Sequence, residues 1–236
     1  AGQDVPLAPL RQFQVVLFRD RQEYLDRMGR VEPRISQTVG YYLARNRTAY
    51  FYAGDVSTRS TWFHEASHQL FQESIAAVTD PGADRDFWVV EGAALYMESL
   101  RPHGDHCRLG GWDADRLQFA RYRALYERFQ VPLTELLTYG RERLPQDDDI
   151  RRLYSQAAGL THFFMDSEGG ACRDALVEYL RDVYRGDAKP QGLLARLKRS
   201  ADELDAAYRR FLNVSDAQLR FLDDPSSVRN LCFTHT

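Results

Sequence analysis

Residues 61–71, TWFHEASHQLF, place two histidines four positions apart, with a glutamate directly after the first. On a helix, positions i and i+4 face the same way, so His64 and His68 can each direct an imidazole nitrogen at one point. Zinc accepts such nitrogens and, in catalytic sites, keeps one coordination position for water. Glu65 would lie beside that water and could take its proton. The pattern predicts a metal-dependent hydrolytic site; the alternative is the solvated face of an ordinary helix.

The surroundings of the motif favour the metal site. Apolar residues flank both histidines, so the helix is expected to be largely buried, and buried imidazoles without partners are costly. A catalytic zinc ion needs a third protein ligand. Glu91 lies 23 residues after His68, in the predicted helix WVVEGAALYMES, which can pack antiparallel to the first. Gly92 would let these two helices approach closely. We therefore predict one zinc ion per chain, held by His64, His68 and Glu91.

The two motifs together resemble those of the gluzincin metallopeptidases, the thermolysin and aminopeptidase N group. HEASH followed by W-x-x-E-G-x-A-x-Y-x-E matches the family pattern nearly completely, and the resemblance covers roughly residues 40–185. It implies that Glu91 is the third zinc ligand. It also implies a catalytic role for Tyr154, 63 residues after Glu91, in stabilising an oxyanion. The alternative for Tyr154 is a helix residue packed in the core.

Within that group the chain looks most like the peptidase-MA-like domains of uncharacterised bacterial proteins, which are often exported or membrane-tethered. It departs from better-known members in two places. A GxMEN-type segment, with which aminopeptidases hold a free amino group, is not visible before His64. The carboxylate that orients a zinc histidine in thermolysin-like enzymes is replaced by Leu95. Glu98, on the same helix face as Glu91, is the candidate substitute; otherwise it is an exposed charge at a helix end.

Other histidines and arginines give weaker signals. His103 and His106, in RPHGDHCRLGG, are not accompanied by a second set of ligand residues with the spacing of a metal site. The glycines around them indicate a loop near the active cleft. His162 follows Tyr154 by two turns of one predicted helix and is expected to be a hydrogen-bonded core residue. Two pairs of arginines are interpreted as solvated helix faces, although one arginine could bind a substrate carboxylate. These pairs are Arg121 with Arg123, and Arg151 with Arg152.

The elements that must position these residues begin with strands. Residues 12–18 predict a strand and the following segment a short helix opened by Asp20. GYYLARN and TAYFYAGD predict a hairpin, and we expect TAYFYAGD to be the sheet edge beside the cleft, where a peptide could add as a strand. The metal helix is expected to be capped by Ser57 or Thr58 and to run to about Val78, before the turn at residues 80–82.

Helical spacing dominates from residue 86 onward, punctuated by proline and glycine. The predicted helices there cover residues 86–100, 113–129, 147–165, 173–184, 193–200 and 201–212. The fold class predicted is α+β: a small N-terminal mixed sheet followed by a mainly helical lobe, zincin-like, with the metal helix at the cleft. We expect a single peptidase-like unit over residues 1–236, with a sheet region at about 10–56, metal-site helices at about 57–100 and a helical lobe at about 101–236.

Composition limits the classes of function. The chain has a net charge of -3, and its 31 basic residues alternate with 34 acidic ones, which argues against nucleic acid as the main partner. No apolar run approaches the length needed to cross a bilayer. Cys107, Cys172 and Cys232 allow at most one disulfide and are interpreted as buried free thiols. Because the chain begins AGQDVPLAPL, we interpret it as a mature or trimmed form in which any export signal is already missing.

The leading hypothesis is a zinc-dependent peptidase that acts on a peptide or protein substrate, with Glu65 as general base. One alternative is a pseudo-peptidase module that keeps the metal but serves binding or scaffolding within a larger protein. The other is a metal-free helical interaction domain in which the HExxH pattern is accidental. The sequence does not distinguish endopeptidase from exopeptidase specificity.

Overall fold

The computed structural model describes residues 12–32, 35–54, 59–75, 77–103, 105–141, 143 and 149–213. Over these residues the chain is α+β, with a small mixed sheet near its start followed by helices, as predicted. The first elements are β1 (Gln14–Phe18), α1 (Arg21–Met28), β2 (Gly40–Leu43), β3 (Thr48–Tyr52), α2 (Arg59–Ser74) and α3 (Phe87–Met97). They are followed by β4 (Arg101–His103), β5 (His106–Arg108), α4 (Asp115–Leu125), α5 (Leu133–Leu136), α6 (Ile150–Asp166), α7 (Arg173–Arg185), α8 (Gly192–Leu197) and α9 (Ala201–Leu212).

The N-terminal sheet has the strand order β1-β3-β2. β1 runs parallel to β3, whereas β2 and β3 form the predicted hairpin, whose turn ends at Arg47 in the left-handed region (φ 56°). β3 therefore has neighbours on both sides. The prediction that TAYFYAGD forms the edge beside the cleft is wrong, because pairing with β1 makes β3 the central strand and leaves β2 at that edge.

The predicted helix after β1 is confirmed, and Asp20 caps it. The side chain of Asp20 accepts a hydrogen bond from the backbone N of Glu23 at 2.9 Å. Such a cap satisfies a backbone donor that has no partner inside the helix. Tyr24 and Met28 of this helix then pack with Tyr52 of β3 in a small apolar cluster that joins α1 to the sheet.

The helix that carries both histidines, α2, ends earlier than predicted. It stops at Ser74 rather than near Val78. The backbone N of Val78 donates to the carbonyl of Tyr184 at 2.8 Å, and its own carbonyl accepts from the Gln72 side chain at 2.6 Å. One tertiary partner, Tyr184, and one side chain of α2 itself, Gln72, take the place of the hydrogen bonds that would have continued the helix. The proposed caps Ser57 and Thr58 lie outside the described residues.

The helix α3 is central to the larger apolar core and is buried along nearly its whole length. Gly92 permits a close approach, as predicted, but to α6 rather than to α2. A Cβ at Gly92 would lie 2.3 Å from Oγ1 of Thr161 and 2.7 Å from the carbonyl oxygen of Ala157. The second of these is a backbone atom of α6, which cannot rotate away. The glycine therefore sets the spacing between the helix of Glu91 and α6.

Replacing Gly92 by Ala is expected to lower the free energy of unfolding by about 1–3 kcal/mol, the usual cost of overpacking a core. Helix propensity alone predicts the opposite, a gain of about 1 kcal/mol. The sign of the change in the free energy of unfolding therefore shows which effect dominates. Urea unfolding followed by circular dichroism measures this change. A variant more stable than wild type would mean that α3 and α6 do not approach this closely.

The remaining helices follow the predicted pattern, with α4, α6, α7, α8 and α9 on the predicted segments. Two expectations fail, and one helix was missed. The short helix α5 was not predicted. The segment RPHGDHCRLGG forms the hairpin β4–β5 instead of a loop, with His103 opposite His106 in register. Arg121 is fully buried over the ring of Trp112, 5.1 Å from its centroid, and does not belong to a solvated face.

The cysteines and the helix lengths add two observations. Cys172 is a buried free thiol, as expected, but Cys107 is exposed; Cys232 lies outside the described residues. Within the described ranges, no helix is both long enough and apolar enough to cross a membrane.

Candidate metal centre

Two helices bring His64, His68 and Glu91 together. One possible ligand atom from each side chain lies within 4.8 Å of the other two. The Nε2 atoms of the histidines are 3.1 Å apart. Oε2 of Glu91 lies 3.4 Å from Nε2 of His64, and Oε1 of Glu91 lies 3.6 Å from Nε2 of His68. Tetrahedral ligands at about 2.0–2.1 Å from one ion are about 3.3 Å from each other. The group could therefore hold a metal ion, and the predicted convergence is confirmed.

The three donors strongly perturb one another. Burial alone would lower the pKa of His64, but hydrogen bonds to Glu91 and Glu98 raise it to about 10. Burial lowers the pKa of His68 to about 4, against the attraction of Glu91. Burial would raise the pKa of Glu91, yet the two histidines bring it down to about 2. At neutral pH Glu91 is therefore an ionised carboxylate and His68 a neutral imidazole, as ligation of a cation requires, whereas His64 is protonated and would release a proton when a cation binds.

Glu98 orients the first histidine of the motif. Its Oε1 lies 2.9 Å from Nδ1 of His64, and an ionised carboxylate can only accept, so Nδ1 is the donor. This leaves Nε2 as the atom directed at Glu91. Glu98 is buried, so the predicted orienting contact is confirmed and the alternative of an exposed helix-end charge is wrong.

Arg116, from α4, holds Glu98 in place. Its Nε donates to Oε2 of Glu98 at 2.7 Å and its Nη2 to Oε1 at 3.1 Å. Burial would raise the pKa of Glu98, but the charges of Arg116 and His64 lower it to about 2. No sequence signal identified Arg116, because its relation to the motif depends on how α4 packs. Arg116 thus holds Glu98, and Glu98 holds His64; contacts of this type fix the orientation of a histidine that binds a metal.

Glu65 stands beside the donor group and is held by the sheet. Its Oε2 accepts a hydrogen bond from the backbone N of Tyr42 in β2 at 2.9 Å. A Cβ at Gly40 would lie 3.1 Å from Cγ of Glu65, so a glycine in the GYY segment leaves room for this side chain. Burial raises the pKa of Glu65, partly offset by the charge of His64. The edge strand thus positions a carboxylate next to the two histidines.

Tyr154, near the start of α6, lines the same cleft as Glu65 and Glu91. Burial raises the pKa of its hydroxyl well above the usual value, and the charges of these two glutamates raise it further. The hydroxyl is therefore neutral and can donate a hydrogen bond. Its ring also packs against the core, so both interpretations made from the sequence describe part of its environment.

The cleft has a volume of about 1120 Å³ and is bounded by β2, α2, α3, α4 and α6.

His162 is not part of the described lining of the cleft. It is fully buried, with Nδ1 3.3 Å from Oδ2 of Asp166, which confirms the prediction of a hydrogen-bonded core histidine. The hairpin β4–β5 does not contribute to that lining either, so the prediction of a loop near the cleft is not met among the described residues. His106 instead lies 3.0 Å from Asp105.

The chain was compared with models of protein families, with curated proteins and with solved structures, and nothing matched in any of the three comparisons. The interpretation of the site therefore depends on its two motifs and on the geometry described above. Among the described residues, His64, His68 and Glu91 are the one group of three or more His, Cys, Asp or Glu side chains with this arrangement.

Proposed function

We propose that the protein is a zinc-dependent peptidase of the gluzincin type. The observation that carries the proposal is the convergence of His64, His68 and Glu91. One ligand atom from each lies within 4.8 Å of the other two, and the closest atom pairs are 3.1–3.6 Å apart, near the spacing of ligands around a tetrahedral ion. Two imidazoles and one carboxylate suit zinc better than magnesium or calcium, which prefer oxygen ligands. Three protein ligands leave the fourth position for water, as in catalytic zinc sites.

When bound, zinc would lower the pKa of water and polarise a peptide carbonyl. Glu65 would take the proton of the attacking water and later pass it to the leaving amine. The hydrogen bond from the backbone N of Tyr42 fixes one oxygen of Glu65, which leaves the other free for proton transfer. Tyr154 would donate a hydrogen bond to the oxyanion, a contribution typically worth ~2.7–4 kcal/mol of barrier.

The edge of β2 suits an extended peptide. In an antiparallel strand, the backbone N–H and C=O of one residue point to the same side of the strand, and those of the next residue point to the opposite side. The backbone N of Tyr42 points at Glu65 and not at β3, so Gly40 and Tyr42 present their backbone groups to the cleft. A substrate that adds to this edge would use the Tyr42 carbonyl and the Gly40 groups, which gives main-chain recognition with little selectivity for side chains.

The alternatives made from the sequence are less well supported. A metal-free interaction domain has no reason to bring three metal-binding side chains to one point. A pseudo-peptidase that serves as a scaffold has no chemical need for a carboxylate held beside the metal group, as Glu65 is. Both alternatives predict that the protein cleaves no peptide.

Removal of the metal is expected to abolish hydrolysis reversibly. We expect the purified protein to contain one zinc ion per chain, to cleave members of a diverse peptide library, and to lose this activity after treatment with 1,10-phenanthroline. Stoichiometric zinc should restore cleavage, and magnesium should not, because the donor set disfavours it. Metal content by mass spectrometry and peptide cleavage by chromatography measure the two effects. Cleavage that persists in metal-free protein would overturn the proposal.

A further inference from the structure

The candidate cleft is basic although the chain as a whole is acidic. Its described lining contains five arginines and four carboxylates, so these side chains carry one net positive charge, which a divalent ion would raise to three. The whole chain has a net charge of -3. A net positive charge in a cleft favours negatively charged ligands over positively charged ones. The arginines are Arg45, Arg116, Arg123, Arg141 and Arg151, and the acids are Asp80, Glu65, Glu91 and Glu98.

These arginines are not equally able to bind a substrate. Arg116 is committed to Glu98 through two hydrogen bonds, and Arg123 also has an interaction of its own. Arg45 and Arg151 are exposed, where a single charge is screened by water and salt. Arg141 is less exposed than Arg45 and Arg151, has one hydrogen bond to an acid where Arg116 has two, and is held in position by the fold.

The backbone of Arg141 is tied to the loop that precedes α3. Its N donates to the carbonyls of Gly82 at 3.1 Å and Ala83 at 3.0 Å. The adjacent Gly140 lies so close to this loop that a Cβ there would be 2.1 Å from the oxygen of Ala83. The guanidinium stacks over the ring of Phe87, 4.5 Å from its centroid. Since Phe87 begins the helix that carries Glu91, Arg141 is held relative to the metal group.

The donors of Arg141 are only partly used. Its Nε donates to Oδ1 of Asp80 at 2.6 Å, and the two side chains are 42% and 50% exposed. Nη1 and Nη2 have no hydrogen-bond partner within the part of the chain that the structure describes. These two groups form one end of a planar fork that matches both oxygens of a carboxylate. Arg141 also lines the same cleft as His68 and Glu91.

We propose that Arg141 selects peptides that carry a carboxylate close to the bond to be cleaved, by binding both oxygens with Nη1 and Nη2. This inference rests on the proposed peptidase function and names its substrate class. An aspartate or glutamate side chain and a C-terminal carboxylate offer the same chemistry, and the test separates these two sources.

The test compares matched peptides on the zinc-loaded protein. Each pair differs in one carboxylate: glutamate against glutamine at successive positions around the cleaved bond, or a C-terminal acid against its amide. Wild type is expected to favour the carboxylate member at one position by roughly 10–100-fold in kcat/KM, the range of a charge-assisted hydrogen bond. The position at which the preference appears identifies the source of the carboxylate.

Variants test whether Arg141 is the residue that causes the preference for a carboxylate. Arg141→Gln is expected to lose it, with little change in kcat/KM for the amide peptides, and Arg141→Glu is expected to favour lysine at the same position. Arg143→Gln is the matched control, because Arg143 lies two residues away, stacks 3.7 Å from the Tyr139 centroid and is absent from the described cleft lining. Because Arg141 also contacts Asp80 and Phe87, its substitution could destabilise the fold. Equal melting temperatures of wild type and variants would exclude this cause.

Binding of the same peptides to zinc-loaded Glu65→Gln, measured by fluorescence anisotropy, separates this inference from the peptidase proposal. A carboxylate preference in binding without cleavage by wild type would refute the peptidase and support the role of Arg141. Equal affinity for both members of every pair, or an Arg141→Gln variant that keeps the preference, would overturn the inference. Loss of activity on all peptides alike by folded Arg141→Gln would also overturn it.

Discussion

Glu65→Gln is expected to lower kcat for peptide hydrolysis by about 10²–10⁴-fold, the usual contribution of a general base. A glutamine side chain has the same shape, and its amide oxygen can still accept the hydrogen bond that the backbone N of Tyr42 donates to Glu65 at 2.9 Å. It cannot take a proton from water. The substitution therefore removes the base while leaving its support in β2 and the contact at Gly40 in place.

The measurement is kcat on the best substrate of the peptide library, together with the zinc content of both proteins. The zinc content should be unchanged, because Glu65 does not belong to the group of three converging donors. Glu127→Gln is a suitable control, since Glu127 pairs with Arg152 and is absent from the described cleft lining. If Glu65→Gln cleaves as fast as wild type, catalysis by this site is excluded and a binding module becomes the better interpretation.

Glu91→Gln is expected to act on metal binding rather than on proton transfer. Loss of an orienting residue behind a ligand costs about 10–100-fold in metal affinity, and loss of the ligand itself should cost more. Glu91 is the anionic member of the group of three donors, so its replacement also removes the negative charge that the cation would face. We expect the order of zinc affinity to be wild type, then Glu98→Gln, then Glu91→Gln.

Competition with a chromophoric zinc chelator measures these affinities. Zinc should also stabilise the wild type against unfolding, by about 4 kcal/mol when free zinc is 1,000 times the dissociation constant. At that zinc concentration Glu91→Gln should gain much less. Equal affinities for wild type and Glu91→Gln would mean that this glutamate is not a ligand, and that another group completes the site.

Much of the candidate site was predictable because it depends on local backbone geometry. The spacing of His64 and His68 places both on one face of any helix, and the second motif puts Glu91 on a helix that can return to them. The cap at Asp20 and the hairpin of β2 and β3 are equally local, since neighbouring residues supply their hydrogen bonds. These local predictions were confirmed, although the equally local hairpin β4–β5 was predicted as a loop.

The tertiary structure decided which surfaces meet. Pairing with β1 made β3 central and β2 the cleft edge, and a hydrogen bond between Val78 and Tyr184 accompanies the early end of α2. Packing also made Gly92 a contact of α6, and brought Arg116 and Arg141 to the cleft from distant parts of the chain. Contacts between residues far apart in sequence leave no periodic pattern, because each depends on the packing of whole elements. The candidate metal-binding motif could therefore be identified from the sequence, whereas its supporting residues and the charge of its cleft could not.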